Sequence, residues 1–166
     1  LLSDRQVTFI PGDAEQLSFP SGQDLIVSCS ALQWFVSPEL FFKRCNALLS
    51  GHGYFAFSTF GKENLKEIAA VTGSGLHYYS LEELKKSLSM HYNIVTAGEE
   101  RIRLTFATPL DVLYHLKHTG VTAVCRQAWT KGDLQEFCDK YAKLFSCGNA
   151  VTLTYHPLYI IARKKP

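Results

Sequence analysis

The chain has 166 residues, 46% apolar and 19% charged, with 11 Gly and 6 Pro. That is one domain's worth of chain with enough apolar content for a core, which excludes disorder, collagen-like repeats and coiled coil. Seventeen Lys and Arg against fifteen Asp and Glu leave a net charge of +2, so nothing global points to nucleic acid or an anionic membrane. The longest apolar runs, such as Leu25–Val27 and Tyr159–Ala162, are strand-sized, and no membrane span is read. The sequence opens at Leu1 within what reads as folded chain, and its only methionine is Met90; the expectation is a piece of a longer product.

In chain order, Val7–Ile10 is a β-branched and aromatic run stopped by Pro11-Gly12, which predicts a short strand. Asp24–Cys29 is almost unbroken apolar sequence, the pattern of a strand covered on both faces in a parallel sheet. A helix follows, with Ser37 as its cap, Pro38 at the first position and Phe41, Cys45 and Leu49 on one face. Ser50–Gly53 stops it, and Tyr54–Thr59 is the next strand, completing a strand–helix–strand unit. Helix is expected over roughly Lys62–Leu88, where Ser80–Glu83 forms a capping box. Asn93–Ala97 and Ile102–Phe106 read as strands on either side of Gly98. Helices open at Thr108–Asp111 and Thr130–Asp133, the second carrying Leu134, Phe137, Tyr141 and Leu144. Val151–Tyr155 and Leu158–Arg163 close the chain as a final strand in which Pro157 implies a bulge or an edge position. The class is α/β.

Cys29, Cys45, Cys125, Cys138 and Cys147 form no CxxC pair and are odd in number. They read as reduced thiols of a cytoplasmic protein, most of them small core residues. Among six histidines, only His115 and His118 lie three apart on one helix without acidic or thiol companions, so they read as solvated helix residues and no metal site is assigned. Ligands of open α/β sheets sit at the carboxyl ends of strands, which singles out Gly12–Glu15, Ser28–Trp34 and Thr59–Gly61. Asp13 suits an amino-substituted ring such as adenine, but the motif alone is weak and favours a turn or capping residue. Small Ser28, Ser30 and Ala31 allow close approach of a ligand, with Gln33 and Trp34 on the rim.

Gly12-Asp13-Ala14-Glu15-Gln16-Leu17-Ser18-Phe19-Pro20 followed by Asp24-Leu25-Ile26-Val27 resembles the second half of a class I S-adenosylmethionine-dependent methyltransferase. Other stretches discriminate further: Ser30-Ala31-Leu32-Gln33-Trp34, Phe57-Ser58-Thr59-Phe60-Gly61, Asn64–Ile68, Tyr79–Leu84, Phe106–Val121 and Leu153–Tyr159. Together they resemble the malonyl-[acyl-carrier protein] O-methyltransferases of biotin synthesis over essentially the whole chain.

The resemblance implies the C-terminal part of a Rossmann-like methyltransferase fold, strands 3, 4, 5, 6 and 7 of a sheet ordered 3-2-1-4-5-7-6, in a single domain over 1–166 that is incomplete at its N-terminus. The helical regions 60–92 and 107–147 would contribute a substrate cover. Without strands 1 and 2, Val7–Ile10 and Leu25–Cys29 have nothing between them, and the latter would present an apolar edge prone to self-association. The implied cofactor is S-adenosyl-L-methionine, held by Asp13, Ala14, Ser28, Ala31, Leu32 and Trp34. The implied substrate is a malonyl group on acyl-carrier protein, whose free carboxylate is methylated. His77, Tyr78, Tyr79, Arg101, Arg103 and Arg126 are the available donors for that carboxylate, while Lys117, Arg126 and Lys131 could meet an acidic carrier. An ionised carboxylate needs no base, so no catalytic residue is named. Two alternatives stand beside this reading: a class I methyltransferase acting on another small molecule, and a non-catalytic methyltransferase-like interaction module.

Overall fold

A computed structural model describes residues 7–120 and 129–166. The described strands are β1 (Gln23–Cys29), β2 (Leu49–Phe60), β3 (Tyr92–Glu99), β4 (Ile102–Phe106), β5 (Ser146–Cys147), β6 (Ala150–Tyr155) and β7 (Pro157–Lys164). The helices are α1 (Pro38–Leu48), α2 (Lys66–Thr72), α3 (Leu81–Leu88), α4 (Pro109–His118) and α5 (Lys131–Phe145), with one 3-10 turn at Leu32–Trp34.

β1 and β2 are parallel and linked through α1. β7 runs antiparallel between β2 and β3, giving the order β1-β2-β7-β3. This is the 4-5-7-6 part of the expected sheet, and the α/β class stands. The final strand is corrected: β6 and β7 belong to different sheets, because β6 pairs with β4 and β5 in a separate three-stranded antiparallel sheet. Pro157 marks neither bulge nor edge. It is the first residue of β7, a central strand, where a missing N–H costs least. Gly98 separates nothing either. It lies inside β3 opposite Tyr159, and a β-carbon there would stand 2.6 Å from the Tyr159 ring, so only glycine lets the ring cross the sheet.

Three further expectations are revised. Val7–Ile10 is not a strand, with Phe9 72% exposed, since no described strand lies beside it to take its backbone hydrogen bonds. Ser50–Gly53 does not end in a loop but forms the start of β2. The helical region over 62–88 is two short helices parted by 73–80, with Gly73 closing α2 in the left-handed conformation. The Ser80–Glu83 capping box holds, and Thr108 with Asp111 and Thr130 with Asp133 form two more, each exchanging the reciprocal hydrogen bonds.

Each sheet has its own core. Phe41, Phe42 and Cys45 of α1 press on Phe55 and Phe57 of β2, with the rings of Phe42 and Phe57 stacked at 5.6 Å. Leu84 and Leu88 of α3 complete this layer, and the buried Tyr92 hydroxyl donates to the Phe42 carbonyl at 2.8 Å. Burial pushes the Cys45 thiol up to about 12, which makes it an inert packing group. The other described cysteines depart from the core reading: Cys138 is half-buried, while Cys29 at the β1 tip and Cys147 in β5 are exposed. Cys125 lies outside the described residues. The second core joins Ile68, Val112, Leu116, Phe137 and Tyr141 to Val151 and Leu153 of β6. Glu67 locks α2 to that sheet. It is 2% exposed and accepts from the Thr154 backbone N–H at 3.0 Å and the Thr154 hydroxyl at 2.6 Å.

Glu67→Ala strands both Thr154 donors in a dry site, and urea unfolding should show a loss of about 2–4 kcal/mol. β1 pairs only with β2 among the described residues, and its Leu25 and Val27 are each 57% exposed. The 166-residue chain should therefore self-associate through β1, and sedimentation velocity should show Val27→Lys shifting it toward monomer.

Candidate functional site

The carboxyl ends of β1 and β2 open onto a cleft of about 870 Å³. Its walls are the 3-10 turn with Phe35 and Val36, the α2 face with Asn64, and the 73–79 loop. Volume and place are those of a small-molecule site in an open α/β sheet.

The β1 tip is built by a strained residue. Ser30 has φ 50°, in the left-handed region that costs a non-glycine residue about 1–2 kcal/mol. Its N–H donates to the Ser58 carbonyl at 3.0 Å, which ties the β1 and β2 tips together. Gln33 reinforces the tie, donating to the Ser30 carbonyl at 2.6 Å and accepting from the Thr59 hydroxyl at 3.2 Å. Gln33 is thus a brace, whereas Trp34 stands on the rim, 47% exposed.

Glu15 organises the opposite side. Its carboxylate accepts from the backbone N–H groups of Val36 and Ser37, both at 2.9 Å. The expected Ser37 side-chain cap is absent; the Glu15 carboxylate serves the start of α1 instead, as a charge-assisted cap. Asp13 turns back on its own segment, accepting from the Glu15 N–H and the Gln16 amide, both at 2.9 Å. Of the residues assigned to cofactor, Asp13 is exposed, Ala14, Ser28 and Ala31 are half-buried, and Leu32 is buried. Leu32 and Trp34 line the cleft; Ala14, Ser28 and Ala31 line a neighbouring apolar groove beside β1.

The donors assigned to substrate separate. His77 and Tyr78 line the cleft. Arg101 does not; it pairs with Glu63 at 2.6 Å and Glu99 at 3.1 Å. Arg103 lies exposed on β4, in register with Thr154. Arg126 lies outside the described residues. Arg101 and then Lys66 hold the Glu63 carboxyl down at about 2, so this cluster stays charged across the working pH range. Burial raises the Tyr78 hydroxyl above the usual tyrosine range and keeps it protonated.

Asn64 lines the inner wall with His156 bonded behind it, and reasoning from sequence gave neither a role, although each sits in a stretch that carried the resemblance. His156 is 3% exposed. Its Nδ1 accepts from the Glu63 N–H at 3.1 Å, which leaves Nε2 to carry the proton and donate to Glu99 at 3.1 Å. His115 is corrected from a solvated residue: it is half-buried, with Nε2 3.0 Å from the Tyr155 hydroxyl and its ring against Phe106. Among the described residues, no three His, Cys, Asp or Glu gather as metal ligands, and no helix is long and apolar enough to cross a membrane.

Comparison with known proteins follows the same line. The profile of a family described as a methyltransferase domain matches residues 1–57. A solved chain from Bacillus halodurans, named as a methyltransferase, superposes with TM-score 0.68 at 17% identity, covering 99% of this chain and 74% of its own, and so shares the fold. Two curated relatives carry the name malonyl-[acyl-carrier protein] O-methyltransferase. That of Bacteroides thetaiotaomicron is 56% identical over 99% of this chain and 67% of its own length. That of Bacteroides fragilis is 57% identical over 99% of this chain and 34% of its own, so the chain spans only part of each relative. At this identity over two thirds of a curated relative, the chain belongs to the malonyl-[acyl-carrier protein] O-methyltransferase family.

Proposed function

We propose that the complete protein transfers a methyl group from S-adenosyl-L-methionine to the free carboxylate of malonyl-acyl-carrier protein, an early step in making the pimeloyl part of biotin, in the cytoplasm. One observation carries the reading: identity of 56% to a relative of that name extends over 99% of this chain, cover segments included.

The chain's own residues suit such a reaction. The cofactor, when bound, supplies an electrophilic methyl on a positively charged sulfur. Trp34 at the rim and Leu32 in the wall offer apolar surface to the cleft, and the Ser28–Ala31 tip is small enough for close approach. Asp13 and Ala14 are the residues proposed beside the adenine. The carboxylate nucleophile is ionised at neutral pH. What remains for the protein is to align nucleophile, carbon and sulfur and to keep water out, a positioning task that requires no proton transfer. The 60–92 and 107–147 regions would close over the substrate, and exposed Lys117 and Lys131 would face an acidic carrier, Arg126 with them.

Incubating the complete gene product with S-adenosyl-L-methionine and malonyl-carrier protein should add one methyl to the carrier's acyl group by intact-mass spectrometry, with acetyl-carrier protein unchanged. Cofactor binding without that gain would redirect the reading to a small-molecule methyltransferase, and absence of both would favour an interaction module. Glu15 joins the Asp13 segment to the start of α1, so Glu15→Ala should weaken cofactor binding about tenfold in calorimetry, the size of one lost charge-assisted hydrogen-bond pair.

A further inference from the structure

The reading of a malonyl carboxylate as substrate leaves open what receives it, and the hydrogen-bond directions in the inner wall narrow the choice. The starting point is a group that can only donate. The backbone N–H of His156 meets Asn64 Oδ1 at 3.2 Å, which fixes the amide's orientation and turns its NH₂ toward Tyr78. Asn64 Nδ2 then donates to Tyr78 Oη at 3.0 Å. The tyrosine oxygen is an acceptor in this bond, so its own O–H proton is left over. Among the described residues, no group accepts it.

Tyr78 lines the main cleft and also a small recess that reaches Thr59 and Phe60 at the β2 tip, so it stands between the strand ends and the outer cleft. The cationic and threonine donors around the cleft are committed elsewhere. Lys62 pairs with Glu83 at 2.7 Å and Lys66 with Glu63 at 3.0 Å, so both lysines that line the cleft are neutralised by a carboxylate. Thr59 donates to Gln33. His77 packs edge-on against Tyr79 and is exposed.

Resting on the function proposed above, we infer that the Tyr78 hydroxyl is the specificity donor for the substrate's carboxylate, its proton aimed by the chain from the His156 N–H through Asn64. A single neutral donor suits this chemistry. It holds one carboxylate oxygen by a charge-assisted hydrogen bond without cancelling the charge, and the second oxygen keeps its electron pair for the methyl carbon. A guanidinium gripping both oxygens would bind more tightly and blunt the nucleophile. In the transfer itself, the O–C bond forms as the C–S bond breaks, the sulfur takes that electron pair, and Tyr78 keeps its proton throughout.

The test uses the complete gene product and steady-state kinetics with malonyl-carrier protein, with acetyl-carrier protein as a competitive inhibitor. Tyr78→Phe should raise KM for the malonyl carrier at least tenfold, with inhibition by the acetyl carrier, cofactor Kd and Tm unchanged. Asn64→Asp keeps the bond to His156 but takes the Tyr78 proton and adds a negative charge, so it should raise KM at least as much. If Tyr78→Phe leaves KM within twofold, the assignment to Tyr78 is wrong. Equal weakening of malonyl and acetyl carriers would overturn it too, placing the hydroxyl on the thioester both share. An inactive wild type would overturn the substrate reading itself, and an active wild type with an unaltered variant overturns only the role of Tyr78.

Discussion

His156 holds the two sheets together, and the cleft takes its shape from that bond set. The residue lies where the chain leaves β6 for β7 and spends every polar atom on the junction. Its carbonyl accepts from the Gly61 N–H at 2.7 Å, its Nδ1 from the Glu63 N–H, its N–H goes to Asn64 and its Nε2 to Glu99. The ring fits because residue 61 has no side chain; a β-carbon there would lie 2.6 Å from it. Such a buried ring, satisfied at both nitrogens, has one tautomer and one orientation, so the segment after β2 is held as rigidly as a strand. Leu65, forced to φ 53° at the start of α2 and anchored through its N–H to the Thr154 carbonyl at 2.8 Å, shows how firmly that segment is constrained.

Legibility from sequence followed the range of the forces involved. Local signals were clear: the capping boxes at Ser80, Thr108 and Thr130, the proline at the start of α1, and the apolar run of β1 all act within a few residues. The pairing of strands was harder. Val151–Tyr155 and Pro157–Lys164 are nearly continuous in pattern, and nothing local to them says that the sheet changes between them; the reason is His156 and its contacts 57 to 95 residues away. Val7–Ile10 has strand composition without strand neighbours, and composition cannot supply them. Asp13 and Trp34 were singled out because strand tips are where ligands bind, and His77 and Tyr78 because the resemblance implied a substrate cover around them. Glu15 and Asn64 were missed as working residues because their value lies in the bonds they make across the fold.

Charge around the cleft is arranged in pairs. Glu63 sits between Arg101 and Lys66, Glu83 beside Lys62, and Glu99 beside Arg101. Exposed pairs of this kind contribute little to stability one by one, but they leave a cleft whose lining cations are balanced. Selectivity in such a site rests on directed neutral donors and shape more than on net attraction. Under the proposed function, that division lets a charged group enter without being trapped, and leaves long-range attraction of the carrier to surfaces away from the cleft.

The position of β7 carries a consequence for how the chain is made. It comes after every other described strand, yet it is the one that separates and joins β2 and β3. Among the described residues, β3 has no other partner, and β2 keeps an open edge until Pro157–Lys164 arrives. On a ribosome, therefore, the β1–α1–β2 unit can settle early, while the first sheet waits for the end of this stretch to leave the exit tunnel. During that interval an apolar edge is bare at nascent-chain concentrations, and a chaperone that shields extended apolar segments would find its substrate there.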